Sequence, residues 1–92
     1  MTVIEEVRGF LAQELGIDGA QEIDPDLGLV QKGLIDSIEL MQVVAFLETR
    51  FGIRIEDTEI LPVNLRSLSA MAAFIEQKLS ASAAALQSPG AR

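Results

Sequence analysis

In three stretches of this chain apolar residues recur three and four positions apart, and Gly or Pro interrupts the pattern between them. That period is the signature of helices that bury one face. The first stretch is Val3, Val7, Phe10, Leu11 and Leu15, with Thr2 placed to cap it and Gly16 to end it. A second helix is expected from about Ser37 to Phe51. Leu40, Val43, Val44, Leu47 and Phe51 form its apolar face, Glu39, Gln42, Glu48 and Arg50 its polar one, and Gly52 closes it. Ile38 and Met41 fall at the edge of that face, two apolar residues more than a two-faced helix needs. The last stretch, Leu68, Met71, Ala72, Phe74, Ile75 and Leu79, follows Ser67 as its cap.

The connections are uneven. Ile17 to Leu34 reads as a long loop, broken by Gly19, Pro25, Gly28 and Gly33 and pinned by Ile23, Leu27 and Leu29. Loops of that length rarely lack structure of their own, so a short helical turn near Leu27 to Gln31 stays open. Ile53 to Ile55 reads as extended, Asp57 to Ile60 as a turn, and Pro62-Val63-Asn64-Leu65 as a short helix with Pro62 in its first turn. The expected fold is therefore all-α, a four-helix bundle with a long loop between helices 1 and 2 and a short third helix. Its 92 residues suit one domain, expected over residues 1–80. Residues 81–92, rich in Ala and Ser and ending near Pro89 and Gly90, read as a mobile tail after a short helix extension.

Composition narrows the chemistry. The chain has no Cys and no His, which excludes disulfides and zinc sites of the thiolate and imidazole kind. Fourteen acidic against seven basic residues give a formal charge of −7, which repels nucleic-acid and membrane phosphates and suits a basic protein surface. Met1-Thr2-Val3-Ile4-Glu5-Glu6 has neither a basic flank nor a long apolar run, so no leader or membrane span is expected and the default location is cytoplasmic. Asp24-Pro25-Asp26-Leu27-Gly28 resembles the start of a calcium loop, but a third ligand is missing and Ile35 stands where the closing Glu belongs.

Ser37 is the residue on which chemistry can rest. It cannot act as the nucleophile of a hydrolase, because no His is present and neither Lys32 nor Lys78 lies in a serine-lysine motif. By position it reads as a helix N-cap worth roughly 1 kcal/mol. The same helix start, with its unpaired N–H groups and positive dipole end, also favours a phosphate.

The string Gly33-Leu34-Ile35-Asp36-Ser37-Ile38-Glu39-Leu40, followed by Phe51-Gly52-Ile53-Arg54-Ile55, resembles the acyl and peptidyl carrier proteins. Leu15-Gly16-Ile17, Asn64-Leu65-Arg66-Ser67-Leu68 and Phe74-Ile75 continue the likeness over Val3 to Leu79. The resemblance implies that Ser37 receives 4'-phosphopantetheine from coenzyme A in a magnesium-dependent reaction run by a separate phosphopantetheinyl transferase. The arm then brings the thiol that the chain lacks, and holds its cargo as a thioester at high effective concentration beside each docked enzyme. The implied partners are an acyl- or aminoacyl-loading enzyme, such as an adenylating ligase or acyltransferase, and acceptor enzymes such as a ketosynthase or transferase. The carrier itself is expected to be a monomer and not an enzyme.

Carried over by position, partner recognition falls on Leu34, Asp36, Ile38, Glu39, Met41, Gln42, Ala45 and Glu48. Core packing is the alternative for Ile38 and Met41, and an ordinary solvated face for Glu39 and Glu48. Gln42 stands where many fatty-acid carriers have an acid, and Ile35-Asp36-Ser37 lacks the paired glycines of many peptide-synthetase carriers. Both departures are closer to free-standing carriers of aminoacyl or specialised acyl groups, including D-alanyl carriers and those of polyketide and nonribosomal peptide biosynthesis. Phe46 and Leu47 are bulky enough to fill space that a long acyl chain would need. The competing reading is an unmodified helical interaction module that uses Ser37 only as a cap.

Overall fold

A computed structural model describes residues 2–87. Four α-helices are present and, among the described residues, no strand, as the apolar spacing requires. They are α1 (Val3–Gln13), α2 (Ser37–Phe51), α3 (Pro62–Leu65) and α4 (Leu68–Gln87), with 3-10 turns at Ala20–Glu22 and Asp57–Glu59. The tail expectation beyond Gln87 lies outside the described residues. No described helix is long and apolar enough to cross a membrane.

Helices α1, α2 and α4 start where a side chain satisfies one of their free N–H groups. Thr2 and Glu5 form a reciprocal capping box on α1, with the Glu5 amide donating to Thr2 Oγ1 at 3.1 Å and the Thr2 amide to Glu5 Oε1 at 2.9 Å. Buried Ser67 caps α4, accepting from the Ala70 amide at 3.1 Å. Pro62 occupies the first turn of α3, where its missing N–H costs no hydrogen bond.

Helix 1 ends at Gln13, short of the expected Leu15. Gly16 takes φ +65°, and the Ile17 amide reaches back to Leu11 O at 3.0 Å, so the chain has already left the helix while Leu15 keeps helical spacing. Gly52 ends α2 in the left-handed region at φ +64°.

One aliphatic core joins the elements. Val7 and Leu11 of α1, Val43 and Leu47 of α2, Leu65 of α3, and Leu68, Met71 and Ile75 of α4 are almost completely buried. Phe46 stacks on Phe10 with ring centroids 4.6 Å apart, so the seam between α1 and α2 is filled by rings while Leu47 fills the core behind it.

The long loop is tied down by contacts between distant parts of the chain. Leu29 and Ile35 are buried, whereas the expected anchor Leu27 is only half-buried. The Leu29 amide donates to Arg66 O at 2.8 Å, the Ser69 amide to Pro25 O at 2.9 Å, and Arg8 Nη2 to Ile23 O at 2.6 Å. The helical turn held open near Leu27 to Gln31 is present one residue on, where the Lys32 amide donates to Gly28 O at 3.0 Å, and further turns follow, closed by Gly33 N to Val30 O at 3.0 Å and Leu34 N to Leu29 O at 2.9 Å. The loop's 3-10 turn lies earlier, at Ala20–Glu22.

Candidate functional site around Ser37

Buried Ile35 anchors the end of the long loop and Asp36 starts α2. The cap is Asp36, not Ser37 as the position alone suggests. Asp36 Oδ1 accepts from the Glu39 amide at 2.7 Å, and Glu39 Oε1 accepts from the Asp36 amide at 3.0 Å. Ser37 is therefore the first residue inside the helix, exposed, and its hydroxyl makes no hydrogen bond among the described residues.

Beside Ser37 lies an apolar groove of about 160 Å³, lined by Ser37 and Leu40 of α2, Ile60 and Leu61 before α3, Leu65 of α3, and Arg66. Leu40, expected on the buried face, is half-exposed because it faces this groove. Two half-buried links fix the segment that leads into α3: Lys78 Nζ donates to Glu59 Oε1 at 2.8 Å and Asn64 Nδ2 to Glu59 O at 2.8 Å. The Lys78 ammonium, with help from the Glu56 amide, holds the Glu59 carboxyl below the usual carboxylate range. On the far side of the bundle Arg50 pairs with Glu6 at 2.9 Å and lowers its pKa in the same way.

The residues assigned to partner recognition divide into two groups. Ile38 is 73% exposed and Met41 47%, so both stand on the surface rather than in the core, and Gln42 and Ala45 are exposed beside them. Leu34 packs half-buried against the core. Asp36 and Glu39 are engaged in the capping box. Glu48 is half-buried, its Oε2 accepting from the Ile55 amide at 2.8 Å, which ties the chain after Gly52 back to α2.

On and just before α3, two further exposed apolar residues escape sequence reasoning: Val63, 71% exposed, and Leu61, 47% exposed. A helix of four residues has too few positions to display a periodic face, so no pattern marks them. Neither the acidic pair of the loop nor any other group of three acidic residues forms a metal cluster among the described residues. Asp24 instead accepts the Asp26 amide at 2.8 Å in a local turn around Pro25.

The model of a phosphopantetheine attachment site matches residues 5–75, the span from α1 to α4 with Ser37 inside it. The chain belongs to the acyl carrier protein family. It is similar to the acyl carrier protein of Solidesulfovibrio magneticus, 31% identical over 78 residues that cover 85% of this chain and 96% of that one. It is also similar to that of Helicobacter pylori, 29% identical over 59 residues that cover 64% and 74% of the two chains. The acyl carrier protein of Thermotoga maritima is 23% identical over 77 residues, covering 84% and 91%. Membership makes 4'-phosphopantetheine the covalent cofactor and makes this carrier a partner of transferases and acyl-handling enzymes rather than a catalyst.

Proposed function

We propose that Ser37 is the attachment point of the 4'-phosphopantetheine arm, and that this carrier presents short acyl or aminoacyl groups to the enzymes of a specialised biosynthetic pathway. The observation that carries the assignment is the uncapped, exposed Ser37 hydroxyl at the first position of α2, with Asp36 and Glu39 holding the helix start around it. The residues present fit the group. Ser37 offers the oxygen for the phosphodiester, and Arg66, which makes no ion pair among the described residues, lines the apolar groove next to it.

When bound, the arm supplies the thiol on which an acyl group rides as a thioester. This chain presents the hydroxyl and keeps α2 wound beneath it; the base that removes the Ser37 proton belongs to the transferase, since the chain has no His. A cavity of about 150 Å³ holds a molecule of benzene's size. The groove beside Ser37, at about 160 Å³, has room for part of the arm or a small cargo.

The neutral Gln42, where many fatty-acid carriers have an acid, supports a cargo of the polyketide or nonribosomal peptide kind. The partners that follow are an adenylating ligase or acyltransferase for loading and a ketosynthase or transferase for delivery, met by a monomeric carrier in the cytoplasm. Intact mass after incubation with coenzyme A, magnesium and a broad-specificity phosphopantetheinyl transferase tests the assignment. One added phosphopantetheinyl group, absent from a folded Ser37→Ala variant, is the expected result. An unmodified interaction module predicts no gain while a control carrier is loaded.

A further inference from the structure

Two of the chain's four Phe residues, Phe10 and Phe46, stack at the seam between α1 and α2 and stay half-exposed rather than buried. Shallow grooves run along both sides of the stack, and Glu14 lines each of them. One continues past Gly9, Glu5 and Glu6. Gly9 sits in the interior of α1, where Gly is less stable than Ala, yet a Cβ there would meet no atom within 4 Å. The packing of the described residues thus makes no use of the glycine, whereas a helix approaching from outside comes closer over a bare backbone. Every charged residue lining the two grooves is acidic. Arg50 offsets Glu6, but Glu5 keeps its charge while accepting the Thr2 amide, and Glu14 enters no ion pair among the described residues. The last turn of α1 has no basic residue, so Glu14 and the negative helix end add to one another.

We propose that the α1–α2 seam is a docking groove for a basic amphipathic helix of a partner protein. An aliphatic side chain of that helix lies against the Phe10–Phe46 stack, its backbone passes over Gly9, and Lys or Arg on its flanks meets Glu5 and Glu14. A second copy of the chain and an anionic membrane are poor occupants, because the same acids and a charge of −7 repel both. Phe46 follows Ser37 by nine positions, so at about 100° per residue it stands about half a circumference round α2 and about 14 Å along it. A helix held in the seam therefore leaves Ser37 open. The carrier is kept on one partner while other enzymes act at Ser37, and its effective concentration for enzymes held on the same partner rises.

The test titrates isotope-labelled carrier with an Ala-based helical peptide that bears Leu at every fourth position and Arg beside each Leu, followed by nuclear magnetic resonance. Amide shifts should centre on Gly9, Phe10, Gln13, Glu14 and Phe46. Gly9→Leu, which fills the groove, should weaken binding at least about tenfold, and Glu14→Gln about two- to fivefold, the scale of one exposed ion pair. A peptide with Gln in place of Arg should bind at least about tenfold more weakly. Gly9→Ala should melt roughly 2–8 °C above wild type and Gly9→Leu no lower than wild type, so that lost affinity is not lost fold. Shifts centred elsewhere, or unchanged affinity in Gly9→Leu, would reduce the binding to general attraction of opposite charges and overturn the groove. Lower melting of Gly9→Ala would also overturn it, by returning the glycine to the fold. With saturating peptide, phosphopantetheine transfer to Ser37 should keep its kcat/KM within about threefold; a larger fall would overturn the separation of the seam from Ser37. A wild-type carrier that is not loaded at all would remove the Ser37 assignment and the separate access with it, while the groove would still stand or fall on the peptide affinities.

Discussion

Replacing Asp36 and Ser37 one at a time separates two roles that adjacent residues are easily credited with together. Asp36→Ala removes the acceptor of the 2.7 Å bond from the Glu39 amide and exposes the first turn of α2 without a cap. Loss of an Asp cap costs about 0.5–2 kcal/mol. In a domain of this size about 1 kcal/mol lowers the melting temperature by roughly 4–8 °C. Ser37→Ala removes a hydroxyl that bonds to nothing in the fold and places a stronger helix former at the first helical position, so its stability should stay within about 0.5 kcal/mol of wild type. Thermal and urea melts followed by circular dichroism read both effects. Asp36→Asn, which keeps a capping oxygen, should recover most of the loss. If Ser37→Ala instead destabilises as much as Asp36→Ala, and Asp36→Asn fails to recover stability, Ser37 is the cap and the free hydroxyl is an error.

Two further outcomes follow from side chains that brace the site. Glu48→Ala should cost about 1–3 kcal/mol, because it leaves the Ile55 amide without its acceptor, and Glu48→Gln should restore most of this in the same urea melts. Glu59 has its pKa lowered by Lys78 and the Glu56 amide, so its contribution is present above its unfolded value near about 4.3 and is lost as pH falls through the lower folded value. Glu59→Gln should accordingly melt below wild type at neutral pH, with the two curves converging as acid protonates the wild-type carboxyl; a gap that stays constant through acid pH would dismiss the pair.

Periodicity carries far in this chain because the helices are amphipathic and their stops are explicit. The span of α2 was legible from the apolar face around Val43, Val44 and Leu47 and from Gly52. The Asp36-x-x-Glu39 spacing also held the capping-box signal that assigns the cap to Asp36; Ser37, an equally good capping residue in the adjacent position, obscured it. Leu15 misled for a different reason, since a side chain just past a helix can keep helical spacing while its backbone bonds close a turn. The register of the long loop was illegible because Leu29 and Pro25 bond to the backbone of Arg66 and Ser69, about forty residues away. The role of Glu48 depends likewise on where Gly52 returns the chain, and Val63 sits on a helix too short to show a pattern. Ser37 stood out as the proposed attachment point because it opens α2 in a chain without Cys or His.

The most direct measurement is the position of the covalent group. Peptide mapping by tandem mass spectrometry of the carrier after loading from coenzyme A should place the phosphopantetheinyl group on Ser37 alone, leaving buried Ser67 and half-buried Ser69 unmodified. A group found on any other serine, or loading that persists in a folded Ser37→Ala variant, would contradict the assignment on which the proposed function rests.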